Sequence, residues 1–390
     1  AGGAGAALGS LASAVIYVAG GGRPGSTQRD THHEKMAATQ ASELAVPNAA
    51  RGSALAGGAT ASEGEGERWR KFCRWGLPSN ENVRVHLDYA ASLNYRTRVP
   101  NWVAEHLTRT SDGKGVDRKH SRFRAEEDVP LMWRATNEDY RGSNFSRGHM
   151  APASSHKSTQ LALDETFLLS SNIVPQEMSN NGSDWLRLER FAKDLLRHYT
   201  DVHIVSGPLY LPSSVPEAGK RYVKYEVIGK HEVAVPTHLF KVLCAHDATS
   251  GERRLSAFIL PNGPVRGHPE LDSFVVPLGE VERLSGLSFF PEMMGERERL
   301  RPLCAGDKPN EWCGIGHMDG RIAQWKLLGH LKLTEDCAEL SSLWADARAK
   351  SASKDAMPMF SRAAERQASS LSCEWKPPGR SQKAAVDDGE

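Results

Sequence analysis

The sequence predicts an α+β fold: a mostly antiparallel sheet with helices laid on it, followed by a helical C-terminal extension. Three observations carry this. Beyond Trp69, short runs rich in β-branched and aromatic residues alternate with turn residues: NWVAEHL, TFLLSSNIV, VHIVSGPLYL, YVKYEVIG, VAVPTHLFKVL and RLSAFIL. Between the second and third runs, GSDWLRLERFAKDLLRHY places Trp185, Leu188, Phe191, Leu195 and Tyr199 at helical spacing, an apolar stripe that packs on a core. After about residue 300, GRIAQWKLLGHLKLTEDCAELSSLWADARAK is rich in helix formers.

Taken in order, residues 1–22 carry no charge, and their apolar stretch LASAVIYVA is too short for a membrane span, so they read as a targeting or anchor segment. Residues 23–68 contain no Phe, Trp or Tyr and bury too little apolar surface to offset their ordering entropy, which predicts a disordered linker. The main domain is expected over 69–300, where Pro269 to Phe290 reads as a turn followed by a helical stretch. A helical extension then covers 301–350, and 351–390 reads as a polar, mobile tail.

Composition is globular, with 39% hydrophobic and 25% charged residues, and the net charge of +1 provides no global field for a polyanion. Any nucleic-acid surface must therefore be a local patch. The six cysteines, Cys73, Cys244, Cys304, Cys313, Cys337 and Cys373, form no CxxC pair and no Cys/His cluster. That argues against a cysteine-built zinc site and against a disulfide-dense scaffold, and predicts reduced thiols.

The stretch NFSRGHMAPASSH holds a candidate base, His149, but the tripeptide Arg-Gly-His occurs again at Arg266–His268. Phosphodiester hydrolysis needs a base for water, a cation for the phosphate oxygens and a group such as arginine for the developing charge. His149 is followed by a β-rich run, then PQEMSNNGSDW, then the helix. This order puts Asn180 and Asn181 at the helix entrance, with Asn181, Trp185 and Glu189 at i, i+4 and i+8. An amide oxygen is a hard neutral ligand that suits Mg²⁺, and Arg147 shares a strand face with His149. His268 lies in a Pro/Gly-rich turn without that context.

These residues carry a resemblance. RATNEDYRGSNFSRGHMAPASSH, ETFLLSSNIVPQ and NNGSDWLRLE, with WGLPS, VSGPLYLP, YVKYEVIGKHEVAVPTHLFKV and LSGLSFFPEM, resemble the ββα-metal DNA/RNA non-specific endonucleases, most closely the mitochondrial endonuclease G and exo/endonuclease G group. The similarity spans Trp69 to Met294. It implies a ββα-metal nuclease fold in which His149 is the general base, Asn181 the protein ligand to Mg²⁺ (with Mn²⁺ as a substitute), and Arg147 the phosphate-supporting arginine. Glu189 would hold a metal-bound water, Asn172 would be an active-site asparagine, and His156 would lie near a bound duplex. It further implies DNA and RNA as substrates, 5′-phosphate products, a homodimer and a mitochondrial location in the intermembrane space or at the inner membrane.

Endonuclease G proteins usually carry Asp where this chain has Ser146; the exo/endonuclease branch resembles it in having Ser there and in a helical C-terminal extension. A 5′ exonuclease and a catalytically weak nucleic-acid-binding relative are the two alternatives. Residue by residue, a second reading stands beside the functional one. Asn181 is also a helix cap with Asn180 as the alternative ligand, and Glu189 also pairs with Arg190 or Lys193 on a solvated face. DRKHSRFR, with Arg118 and Arg122, is either a solvated loop or a duplex clamp, and Arg141 is a further phosphate contact.

Overall fold

The computed structural model describes residues 68–109, 114–304, 319–350 and 357–374. The expected targeting segment and nearly all of the expected linker lie outside those residues, as does Cys313.

The centre is a seven-stranded antiparallel sheet. Its strands are β1 (Val83–Val85), β2 (Tyr89–Asn94), β3 (Val99–Thr108), β6 (Asp201–Leu209), β9 (His238–His246), β10 (Arg253–Pro261) and β11 (Val275–Val276), in that spatial order. Two short pairs complete the β structure: β4 (Phe145–His149) with β5 (Ile173–Glu177), and β7 (Val227–Ile228) with β8 (Val233–Ala234). The helices are α1 (Asn137–Tyr140), α2 (Gln160–Glu165), α3 (Leu169–Asn172), α4 (Met178–Gly182), α5 (Asp184–Asp194), α6 (Leu278–Ser285), α7 (Gly320–Leu333), α8 (Cys337–Lys350) and α9 (Met357–Leu371).

Both faces of the sheet are buried, which is why β9 reads as an unbroken apolar run rather than an alternating one. Val103, Leu107, Ile204, Leu243 and Phe258 face one core, against Trp185, Leu188 and Phe191 of α5. Trp102, Ala104, Val205, Val242 and Ala257 face the other, beneath Phe72, Val281 of α6 and Phe289. Trp185 is fully buried, as its place on the α5 stripe requires.

Two expected strands differ in the structure. TFLLSSNIV forms one helical turn, α3, before it becomes β5, because the side chain of Asn172 binds backbone groups on either side of the turn. YVKYEVIG contributes only Val227–Ile228 to a strand, and Tyr222, Val223 and Tyr225 are exposed.

The C-terminal region also departs from expectation. In place of a mobile tail, α9 packs Phe360, Ala364 and Ala368 against Leu328 and Leu331 of α7 and Trp344 of α8. The expectation of reduced thiols is corrected for three cysteines: Cys337 and Cys373 form a disulfide and Cys304 is also disulfide-bonded, whereas among the described residues Cys73 and Cys244 are free. Antiparallel packing brings the start of α8 beside the end of α9, a proximity that spacing in the chain does not reveal. The extension braces the body where β5 runs into α4 and α5. A Cβ on Gly182 of α4 would lie 2.3 Å from the ring of Trp325, Lys326 forms a buried ion pair with Asp184 at 2.5 Å, and Lys332 pairs with Glu177.

Candidate active site

The antiparallel pair β4–β5 runs directly into α4 and α5, so strand, strand and helix present their residues at one place. His149 pairs with Ile173 and Phe145 with Glu177, which brings the end of β5 and the start of α4 beside the start of β4. Glu177 caps α4 by accepting from the Asn180 backbone N–H at 2.9 Å.

His149 ends β4 with its ring packed between Phe123 (centroids 5.4 Å apart) and the edge of Phe167 (5.0 Å). Trp185 donates its indole N–H to the His149 carbonyl at 3.2 Å and so fixes the backbone there. His149 Nε2 is buried without a hydrogen-bond partner. Burial, aided by the positive charge of Arg118 and by His156, lowers the imidazole pKa to about 3, so the ring is neutral at physiological pH.

Arg147 lies on the same side of β4, its guanidinium over the rings of Phe123 (5.1 Å) and Tyr140 (5.5 Å), and its Nε is buried without a partner. The aromatic faces hold a cation without consuming its N–H donors. Arg118 is exposed, stands over Phe167 at 4.9 Å, and is close enough to His149 to depress its protonation.

The two asparagines of α4 are in different situations. Asn180 is buried, with its oxygen accepting from Gln176 Nε2 (2.8 Å) and its nitrogen donating to the Pro261 carbonyl (3.0 Å). Asn181 donates its amide nitrogen to Ser146 Oγ at 3.0 Å, and among the described residues its oxygen has no hydrogen-bond partner. Asn181 is therefore the residue equipped to hold a cation.

Glu189 lies among Lys241, Glu105 and Trp185. Burial raises its carboxyl pKa to about 8, against the lowering pull of Lys241. Lys241 itself reaches Ser206 Oγ (2.6 Å) and the Met150 carbonyl (3.3 Å) and sits over the Trp185 ring at 4.7 Å. Lys241 and Glu105 were not singled out from the sequence, although a charged residue inside each of the apolar runs LFKVL and WVAEHL is the available signal.

Four further sequence-predicted residues are held by partners within the protein. Asn172 is buried: its oxygen accepts from Ala151 N (2.8 Å), and its two amide hydrogens go to the carbonyls of Ala151 (2.9 Å) and Thr166 (2.8 Å). It clamps the chain that follows His149. His156 is buried and bonded through Nε2 to Glu105 Oε2 at 2.7 Å, which withdraws it from any duplex surface. Arg141 is exposed but paired with Glu138 at 2.8 Å. Arg122 is exposed and folded back on its own loop, donating to the carbonyls of Lys119 (2.5 Å) and Ser121 (2.9 Å). His268 packs edge-on to His330 of the extension.

Comparison with known proteins places this arrangement. Residues 70–294 match the family model described as DNA/RNA non-specific endonuclease. The chain is 46% identical over 193 residues to the mitochondrial nuclease EXOG of Xenopus laevis, covering 49% of this chain and 53% of that protein. It is 42% identical over 195 residues to the mitochondrial endonuclease G of Homo sapiens, covering 50% of this chain and 65% of that one. The chain thus spans about half to two thirds of the length of these relatives. A solved structure of an EndoG/EndoGI complex is similar at a TM-score of 0.56 and 39% identity, covering 59% of this chain and 94% of that one. The family model covers more than half of the sequence, and the chain belongs to the DNA/RNA non-specific endonuclease family.

Proposed function

We propose that the protein is a Mg²⁺-dependent, sugar-non-specific nuclease that hydrolyses phosphodiester bonds in DNA and RNA and leaves 5′-phosphate ends. The observation that carries this is the pairing of a neutral, partly buried His149 with an Asn181 whose oxygen is left open, on a single strand–strand–helix unit. The donor set fits a hard cation, because a neutral amide oxygen contributes one ligand and leaves the rest of the shell to water and phosphate. When bound at Asn181, the cation would supply charge neutralisation at the scissile phosphate.

The chain's own residues supply the rest. His149 Nε2 is buried, so Nδ1 is the ring nitrogen that takes the proton of the attacking water. Arg147, with Arg118 beside it, binds the non-bridging phosphate oxygens; neither reads a base edge, so binding rests on phosphate contacts and weakens steeply with salt. Glu189 orients water at the same site; burial raises its carboxyl pKa to about 8, with Lys241 pulling the other way. A plasmid-nicking assay with Mg²⁺, Mn²⁺ or EDTA tests the proposal: cleavage in both metals and none in EDTA is expected, and undiminished cleavage in EDTA contradicts it.

A second reading, a 5′ exonuclease, is favoured by one feature: Trp325 of the extension lies directly on Gly182 of the Asn181 helix. Closed circular against linear duplex decides it, since an exonuclease leaves closed circles intact. The names of the relatives support a mitochondrial location. The Cys337–Cys373 disulfide suits an oxidising compartment such as the intermembrane space. No helix among the described residues is long and apolar enough to cross a membrane, so membrane association would rest on the N-terminal segment. Homodimer formation is part of the same proposal, and light scattering reads it directly.

A further inference from the structure

We propose that His106, Asp201 and His203 form a second metal site, one that binds a single Zn²⁺ and ties β3 and β6 together beside Phe72 and Trp75. The register pairs His106 with His203 across β3 and β6, and Asp201 lies two residues before His203, so all three project from the same face. That face is opposite to the one bearing Glu105, Lys241 and Ser206, so the site is separate from the one proposed for phosphodiester hydrolysis.

The three ligand atoms lie within 4.8 Å of one another, and the carboxylate oxygen is at coordination spacing from both imidazoles. Asp201 Oδ1 is 3.1 Å from His203 Nε2 and 3.4 Å from His106 Nε2. In a tetrahedral site with bonds of about 2.0–2.1 Å, neighbouring ligand atoms are roughly 3.3 Å apart. All three atoms are nonetheless buried without a hydrogen bond, because no N–H is aimed at the oxygen. Buried polar atoms that crowd together unpaired are costly unless something between them accepts their lone pairs.

The surroundings fix which lone pairs those are. His203 Nδ1 lies 3.4 Å from the Phe72 carbonyl, toward which it can only donate, so in the neutral ring the proton is on Nδ1 and Nε2 is bare. That bare nitrogen then faces a carboxylate oxygen, acceptor to acceptor, at 3.1 Å. Asp201 Oδ2 is held by Thr200 Oγ1 (2.8 Å) and His246 Nδ1 (3.1 Å), which turns Oδ1 toward the histidines. A carbonyl behind one imidazole and donors behind the carboxylate are the outer contacts that orient metal ligands. Trp75 closes one side, edge-on to His203 at 4.6 Å.

The rings of His106 and His203 are stacked nearly parallel at 4.1 Å, so sharing one ion requires a tilt of one ring. His106, the more exposed of the two, is the ring with room to move. Two imidazoles and one carboxylate suit Zn²⁺ and disfavour Mg²⁺, which prefers an all-oxygen shell.

The test uses the full chain carrying Asn181→Ala, so that the hydrolytic site contributes less to Zn²⁺ uptake. Protein stripped with EDTA is incubated with Zn²⁺ in excess Mg²⁺ and gel-filtered, and its zinc is measured by mass spectrometry alongside the Tm. One Zn²⁺ per chain and a Tm raised by a few degrees are expected. Adding His106→Asn or Asp201→Asn should abolish both effects while far-UV circular dichroism stays native. A parent chain that takes up no zinc, or natively folded variants that retain it, overturns the proposal. If Asp201→Asn does not fold, His106→Asn, at the partly exposed position, gives the answer, and the stoichiometry of the parent chain decides in any case.

Discussion

The Ser146 hydroxyl donates to the Gln176 carbonyl at 2.8 Å and stands 3.0 Å from the amide nitrogen of Asn181. With its one hydrogen committed to Gln176, Ser146 Oγ is an acceptor toward Asn181. Asn181 must then turn its NH₂ inward and its oxygen outward. Ser146, at a position where the resemblance leads one to expect aspartate, therefore still orients the proposed metal ligand Asn181, without adding a negative charge.

Ser146→Ala removes that orientation. The Mg²⁺ concentration for half-maximal cleavage is expected to rise by about tenfold or more, the usual scale for loss of a contact behind a metal ligand. Ser146→Asp keeps the acceptor and should retain wild-type or tighter Mg²⁺ dependence. A Mg²⁺ titration of both variants checks this; an unchanged curve for Ser146→Ala would show that Asn181 needs no such partner.

Asn172→Ala leaves backbone groups of Ala151 and Thr166 without partners in a buried setting. It should cost on the order of 3 kcal/mol, since each buried group left unsatisfied costs roughly 1–3 kcal/mol. Urea denaturation measures this. Cleavage should fall as well, because the clamp fixes the chain immediately after His149.

How much of this was legible depends on the range of each interaction. The periodicity of Trp185, Leu188 and Phe191 located α5, and the chain order after His149 located the strand–strand–helix unit, because both signals are local. Asn172, His156 and Ser146 were conspicuous in sequence, but their roles are set by partners 21, 51 and 35 residues away, at Ala151, Glu105 and Asn181. The same holds for the Cys337–Cys373 disulfide, 36 residues apart, and for His106 beside His203, which meet only through sheet register. The α9 helix was missed because its polar residues outweigh a short buried stripe of Phe360, Ala364 and Ala368.

The pH dependence of stability has two limbs. Burial lowers His149 to about 3 and His86 and His238 to about 4, below the unfolded value near 6.5. Between those values the unfolded chain binds more protons, so stability is lost as pH falls from about 6.5 toward 4. Burial raises Glu189 to about 8 and Glu126 to about 7, above the unfolded value near 4.3. In that range the folded state holds more protons, so stability is lost as pH rises from about 4.5 toward 8. Thermal melts in EDTA should therefore show that Glu189→Gln flattens the alkaline limb and leaves the acid limb in place.

The helical extension depends on its disulfide. Cys337→Ser opens a 36-residue span, for which chain-entropy estimates give on the order of 3–4 kcal/mol. Limited proteolysis should cut the region of α8 and α9 faster in the variant, or under reductant, than in the oxidised protein. Equal protection would show that packing around Trp344 and Phe360 suffices.

The most direct test of the central claim is Mg²⁺-dependent cleavage of supercoiled plasmid by His149→Ala, with nucleic-acid binding measured on the same preparation. Cleavage should fall by about 10²- to 10⁴-fold, the typical contribution of a general base, while binding is unchanged. Cleavage within a few-fold of wild type, in a variant that binds normally, would contradict the assignment of His149 as the base.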